Sequence, residues 1–311
     1  MKNLVSCSIQ APCKINLHLM VGEKRPDGYH DLQSIFAALD YSDTLTFEIV
    51  SCNGSFVQHW EVPFEEDCAI PPGQNLVNKA LGLFREKTGF AAHLSIHVVK
   101  RIPAGAGLGG GSSDAASTLL ALNALSGANL AKAELLEMAA SLGSDVPFFL
   151  NGGAAWASGR GEHLEPLPCP KDLWVLLAKP PFASPTAEAY GLLDESRETG
   201  RLEAGEYPPH KPGRLLSPRD LGDVLAGPPE KWPFYNDFLP ILSENREYLR
   251  LLEKLAISGS AFSGLSGSGS CCFGIFREKE TAQKAQKALL NRKIFTELTF
   301  FLAKFAEPVL K

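Results

Sequence analysis

The sequence predicts an α+β protein in two domains, and three observations carry that prediction. Short runs rich in branched residues, alternating or continuously apolar, read as strands. Two alanine- and leucine-rich runs closed by glycine read as helices. Along the chain, strands are first mixed with helices and then covered by them. With 311 residues, 45% of them hydrophobic and 21% charged, the chain has material for a sizeable core and a length that suits two domains.

Taken in order, KINLHLMV (14–21) and DTLTFEIV (43–50) read as strands, and AHLSIHVVKRI as a third that ends at Pro103. DAASTLLALNALSG is apolar on nearly every face, the mark of a buried helix, with Gly127 as its stop. AKAELLEMAASLG is a second helix, closed by Gly143. VPFFLNGGAAWASG and WVLLAKP read as strands again. Residues 166–171, PLPCPK, form the join, which divides the chain into 1–168 and 169–311. Residues 195–233 are polar and proline-rich, suited to irregular connections or short helices. A helix over about 243–257, a strand at CCFGIF, a helix at KETAQKAQKALL and a strand at LTFFLAKF complete the chain.

Composition narrows the function. Thirty basic and 35 acidic residues give a formal charge of −5, which leaves no electrostatic footprint for nucleic acid. The seven cysteines are odd in number and contain no CxxC pair, as expected of reduced thiols rather than a disulfide frame or zinc site. The N-terminal residues show no signal-peptide pattern and no apolar run reaches membrane-spanning length. A soluble, cytoplasmic protein without nucleic-acid or membrane partners is expected; the oligomeric state is not legible.

One stretch stands apart: PAGAGLGGGSSDAAS, residues 103–117, with five glycines directly before a helix. Gly105, Gly107 and Gly110 formally satisfy the dinucleotide fingerprint, but no βαβ unit with an acidic ribose partner surrounds them. The absence of G-K-[ST] excludes a Walker A loop. A flexible linker would not run straight into an apolar helix. An anion cradle fits best. Residues without β-carbons let backbone N–H groups converge on a phosphate, and the dipole of the following helix adds positive potential. Ser112, Ser113 and Asp114 are N-cap types.

This loop resembles the phosphate loop of the GHMP small-molecule kinases (galactokinase, homoserine kinase, mevalonate kinase and relatives). APCKINLHL (11–19) and SGLSGSGSCCFG (263–274) resemble that family's other two motifs, in the same order. RPDGYHDLQSIFAALDYSDTLTF (25–47), QNLVNKA (74–80) and GSDVPFFLNGGAAWASGRGE (143–162) narrow the likeness to a branch that phosphorylates a small-molecule cytidyl substrate in the non-mevalonate isoprenoid route. Cys13 stands where alanine is usual, 195–233 matches no motif, and NDFLP (236–240) matches only loosely.

The resemblance implies a two-domain fold, the N-terminal domain like ribosomal protein S5 domain 2 and the C-terminal one ferredoxin-like. It implies ATP as co-substrate with Mg2+. Asp145 matches the catalytic aspartate and Lys14 its partner, although a turn aspartate and a solvent-facing strand lysine are the plainer readings of each. Asn16 lies two residues beyond Lys14 on the same strand face and would position substrate. ATP would be held by Asn75, Pro103, Gly105, Gly107, Leu108, Gly109, Gly110, Gly111, Ser112 and Ser113. Asn75 also reads as a helix N-cap. Asp114 reads first as a cap, then with Ser113 as a magnesium contact. Tyr29 and His30 would take the cytosine ring by stacking and hydrogen bonds, with Thr186 and Tyr190 opposite. Homoserine- or mevalonate-type activity is the rival within the family, and a non-catalytic nucleotide sensor the rival from another class.

Overall fold

The computed structural model describes residues 5–51, 56–61, 75–182, 184–200, 218–242, 246–290 and 294–311. Two very long strands dominate the first half: β1 (Ser6–Lys24) and β2 (His30–Ser51), paired antiparallel along most of their length. Then follow β3 (Phe56–Glu61), α1 (Leu76–Thr88), β4 (His93–Val99), α2 (Gly110–Ser126), α3 (Lys132–Leu142), the short α4 (Phe148–Asn151), β5 (Ala154–Ser158) and β6 (His163–Leu167). The second half opens with β7 (Trp174–Lys179) and α5 (Thr186–Glu198). It continues through α6 (Pro218–Ala226), α7 (Leu239–Leu242), α8 (Arg246–Ile257), β8 (Phe262–Leu265), β9 (Cys272–Phe276), α9 (Lys279–Leu289), β10 (Phe295–Phe300) and β11 (Val309–Leu310).

Among the described residues these strands make two sheets. One has seven strands, ordered β11-β1-β2-β4-β3 with β5 and β6 branching from β2; the other has four, ordered β10-β7-β9-β8. The chain changes sheet between Leu167 and Trp174. Strand periodicity then builds four layers. One face of the first sheet (Ile9, Phe47, Leu94, Ile96) is buried under α1, α2 and α3. Its other face (Ile15, Leu17, Ile35, Leu39) packs against Val175, Leu177, Phe273 and Ile275 of the second sheet. The alternate residues of that second sheet, Leu176, Ala178, Cys272 and Phe276, are covered by α5, α8 and α9. WVLLAK is apolar without alternation because β7 is buried on both sides.

The helix from the glycine loop behaves as its composition requires. Ala115, Ala116, Leu119, Ala121, Leu122 and Leu125 are all buried, and left-handed Gly127 ends it. Three expectations are corrected. VPFFL is not a strand. Residues 144–147 turn and Phe148–Asn151 form a helical turn, because five apolar residues in a row carry no period, and the left-handed Gly152 and Gly153 start the true strand at Ala154. LTFFLAKF ends as a regular strand at Phe300, beyond which Phe301 makes only a single bridge to Leu39. The buried helix starts at Gly110 rather than at the serines, with Gly109 as its cap, so Asp114 lies a full turn inside it and caps nothing. Residues 201–217 lie outside the described residues; the described parts of 195–233 are the end of α5, α6 and a 3₁₀ turn at Pro229–Lys231.

His18 sits inside this architecture as a buried neutral ring. Its Nδ1 accepts the Tyr235 N–H at 3.3 Å, and burial pushes its pKa down from 6.5 to about 4. The unfolded chain therefore takes up this proton first as pH falls, so the histidine's contribution is complete above pH 6.5 and is lost between 6.5 and about 4. The loss is roughly 3 kcal/mol. His18→Gln removes the titration, so the stability gap between unmutated protein and variant should narrow by about that amount from pH 7 to pH 4 in urea unfolding. A gap independent of pH would show that His18 is not buried neutral.

Candidate active site

The glycine loop is held in a seam between the two ends of the chain's motifs. Its backbone is pinned from both sides: Leu108 O accepts from Lys14 N at 2.9 Å, and Ala106 O accepts from Cys271 N at 3.1 Å. Gly107 O accepts the Ser266 hydroxyl at 2.8 Å. Contact is so close that a β-carbon on Gly107, where φ is +75°, would lie 2.1 Å from Ser266 O. One on Gly109, at φ +71°, would meet Phe149 at 2.8 Å and Lys14 Cγ at 3.2 Å. Glycine is obligatory at both places for space and for torsion. The N-terminal, loop and C-terminal motifs thus converge on one seam.

Beside the loop opens a cavity of about 960 Å³. Its lining includes all ten residues expected to hold ATP except Ser113, together with Lys100, Lys179 and Pro180. Asn75 performs one expected task visibly, its Oδ1 accepting from Val77 N at 2.9 Å as the N-cap of α1. Ser113 is buried inside the first turn of α2, and its hydroxyl has no hydrogen-bond partner among the described residues.

Lys14 and Asp145 meet. Lys14 Nζ lies 3.3 Å from Asp145 Oδ2, donates to Asn16 Oδ1 at 2.6 Å, and stands 4.6 Å over the Phe36 ring. Lys14 is buried, contrary to the solvent-facing reading of a strand lysine. A buried ammonium needs such partners, and here carboxylate, carboxamide and aromatic face supply them. Asn16 is fixed in turn by its Nδ2 donating to Ser34 Oγ at 2.8 Å. The Asp145 side chain keeps a third of its surface open. The result is a carboxylate anchored through one oxygen and accessible for proton transfer.

The third cluster joins the two halves of the chain. His30 is buried, its ring 5.1 Å from that of Tyr190. Tyr29 is exposed, with the Arg160 guanidinium 5.0 Å over its ring. Thr186 lies one turn before Tyr190 on α5 and shares a 3.0 Å hydrogen bond with Ser268 Oγ. Burial, and after it the charge of Asp145, pushes the Tyr190 hydroxyl up to about 12. The ordinary cavity lining contains neither this cluster nor Lys14 and Asp145.

Sequence reasoning missed the brace behind the loop. Lys100 bridges Asp43 and Asp114, with Nζ 2.6 Å from Asp114 Oδ2. Asp43, wholly buried, also accepts from the backbone of Arg101 and Ile102 at 2.5 and 2.8 Å. Burial pushes the Asp114 carboxyl up, against the lowering effect of Lys100. Residues 39–47 hold two aspartates, of which Asp43 is buried and Asp40 exposed, and nothing in their local sequence tells them apart. Asn236 and Asp237, left unassigned, prove structural: Asn236 Nδ2 donates to Leu265 O and Gly267 O, and Asp237 accepts from Val21 N.

Comparison with known proteins identifies the family. The GHMP kinase N-terminal domain model matches residues 75–153 and the C-terminal domain model residues 236–294. The chain is 36% identical over 294 residues to the 4-diphosphocytidyl-2-C-methyl-D-erythritol kinase of Treponema pallidum, covering 92% of this chain and 96% of that protein. The chain belongs to the GHMP kinases and is an ATP-dependent small-molecule kinase with the two-domain α+β fold expected from its sequence. It is also 46% identical over 274 residues to the chloroplastic 4-diphosphocytidyl-2-C-methyl-D-erythritol kinase of Mentha piperita. That match covers 85% of this chain and 62% of the longer plant protein. A crystal structure of 4-(cytidine 5'-diphospho)-2C-methyl-D-erythritol kinase is similar with a TM-score of 0.73 at 33% identity, covering 94% of this chain and 99% of that one.

The seam makes a sharp contrast among the loop glycines. Gly107→Ala should destabilise the protein by about 2 kcal/mol or more, through a backbone clash and a left-handed torsion. Gly111 has ordinary torsions, and a β-carbon there would find only Leu76 at 3.8 Å. Gly111→Ala should therefore leave stability unchanged or raise it by about 0.5 kcal/mol. Urea unfolding of the two variants checks this; equal effects would contradict the seam.

Proposed function

We propose that the protein transfers the γ-phosphoryl group of ATP to the C2 hydroxyl of 4-diphosphocytidyl-2-C-methyl-D-erythritol. The observation that carries the reading is the contact of Lys14 with Asp145 beside the glycine loop; the His30–Tyr190 ring pair adds aromatic faces suited to a pyrimidine. Asp145 takes the proton of the substrate hydroxyl as that oxygen attacks the γ-phosphorus and the bond to ADP breaks. Lys14 orients the carboxylate and offsets charge on the transferring group, while Asn16 positions the substrate. Such a reaction relies on placement and electrostatics more than on covalent help. The glycine loop and the N-terminus of α2 receive the phosphates, Asn75 and Pro103 flank the nucleotide, and Tyr29, His30, Thr186 and Tyr190 receive the cytidyl end.

Mg2+ takes most of its ligands from phosphate and water, and the Ser113 hydroxyl, buried and outside the cavity lining, is not presented to an ion bound there. Asp114 is committed through Oδ2 to Lys100, which favours a bracing role for it. Bound with ATP, the ion would neutralise phosphate charge. The division between domains is placed at 168/169, near the change of sheet. A reducing, cytoplasmic setting accords with the five described cysteines being unpaired, and no described helix is long and apolar enough to cross a membrane.

Release of ADP, coupled to a spectroscopic assay, tests the proposal: turnover with the cytidyl substrate and none with homoserine or mevalonate is expected. The reverse pattern would replace the substrate, and no turnover with any would indicate a sensor. Asp145→Asn should lower kcat by roughly 10²–10⁴, about 3–5 kcal/mol of barrier, with both substrates still bound. Near-normal turnover of the folded variant would remove Asp145 from the mechanism.

A further inference from the structure

One carboxylate beside the aromatic cluster has no part in the chemistry above. Asp194 lies on α5 four residues beyond Tyr190 and eight beyond Thr186, so the three share a helix face. Its Oδ1 is 2.8 Å from His30 Nε2 and its Oδ2 2.7 Å from Lys24 Nζ. This helix is fastened independently of that contact. Arg197 donates to Val21 O and Gly22 O at 2.6 and 2.8 Å and pairs with Asp237 at 3.5 Å, while Ala189 and Leu193 are buried in the core.

We infer that Asp194 is a positioning residue that sets base specificity: when the His30 ring carries one proton, the carboxylate holds that proton at Nε2 and leaves Nδ1 as a hydrogen-bond acceptor. The inference rests on the cytidyl reading above. An ionised carboxylate can only accept, so the hydrogen between Oδ1 and Nε2 belongs to the ring. Against a desolvation that would raise it, the hydrogen bonds from Lys24 and His30 hold the Asp194 carboxyl below its ordinary value. Among the described residues the hydrogen bond of the His30 ring is the one at Nε2, which leaves Nδ1 without a partner there. With a lone pair there, the ring accepts from an exocyclic amine and meets a carbonyl lone pair to lone pair. Cytosine carries an amine at the position where uracil carries an oxygen. The opposite tautomer would invert the preference, so the carboxylate decides the sign of the discrimination and the tyrosine contributes only stacking.

Two measurements test this on the full chain at pH 8. In unmutated protein with ¹⁵N-labelled histidine, long-range ¹H–¹⁵N spectra should show His30 protonated at Nε2 and lone-paired at Nδ1. Asp194→Ala should reduce the preference for CDP over UDP, read as competitive inhibition, by roughly tenfold. It should raise KM for the cytidyl substrate while kcat and KM for ATP stay within about twofold, a split that a general loosening of α5 would not give. His30 protonated at Nδ1 in the unmutated protein overturns the inference. So does a folded Asp194→Ala that keeps the full preference, and that result leaves the cytidyl reading standing. Equal inhibition of the unmutated protein by CDP and UDP overturns the cytidyl reading and the inference with it.

Discussion

The approach of Gly107 to Ser266 is the constraint on which the rest of the structure depends. A backbone contact that excludes even a methyl group locks the glycine loop against the C-terminal motif, and the Lys14 and Cys271 amides hold its neighbours Leu108 and Ala106. Three segments separated by about 90 and 160 residues of chain therefore share one rigid backbone junction. A site built on such a junction keeps its geometry because the loop has no alternative conformation of similar energy. Behind the loop, Lys100 is braced between two buried carboxylates just beyond the end of β4.

That junction also explains how a lysine is tolerated at the centre of the molecule. The β-carbon of Gly109 is absent where the Lys14 stem passes, so the ammonium reaches Asp145 and Asn16 without leaving the core. Removing the Asp145 carboxylate would leave the buried ammonium without its counter-ion, which is costly. The same compactness brings α5 over β1 and β2. Tyr190 and Asp194, from the second half of the chain, thereby face His30 from the first. The groups proposed for base recognition and those proposed for phosphoryl transfer thus belong to one packing arrangement.

Much of this was legible in the sequence because the features concerned are local. The apolar helix after the glycines, its stop at Gly127, the cap at Asn75 and the shared face of Lys14 and Asn16 each follow from spacing within a few residues. What escaped was non-local or lacked a period. VPFFL reads equally as strand or helix, and only the two left-handed glycines after it decide. Asp114 looked like a cap because its partners, Lys100 and Asp43, lie 14 and 71 residues away and no pattern announces that they meet. Asp194 sits in an ordinary acidic stretch of helix, and its meaning appears only once β2 places His30 beside it. The roles of Asp145 and the cytidyl cluster came from resemblance, since an aspartate in a turn and an exposed tyrosine carry no signature of their own.

Amide hydrogen exchange, with and without a non-hydrolysable ATP analogue and Mg2+, tests the account's central claim most directly. If the loop locked against the C-terminal motif is the phosphate cradle, saturating nucleotide should slow exchange at residues 105–113 and at 266–269, with little change along β3 or α9. Saturation of the protein with nucleotide and unchanged exchange at residues 105–113 would contradict it.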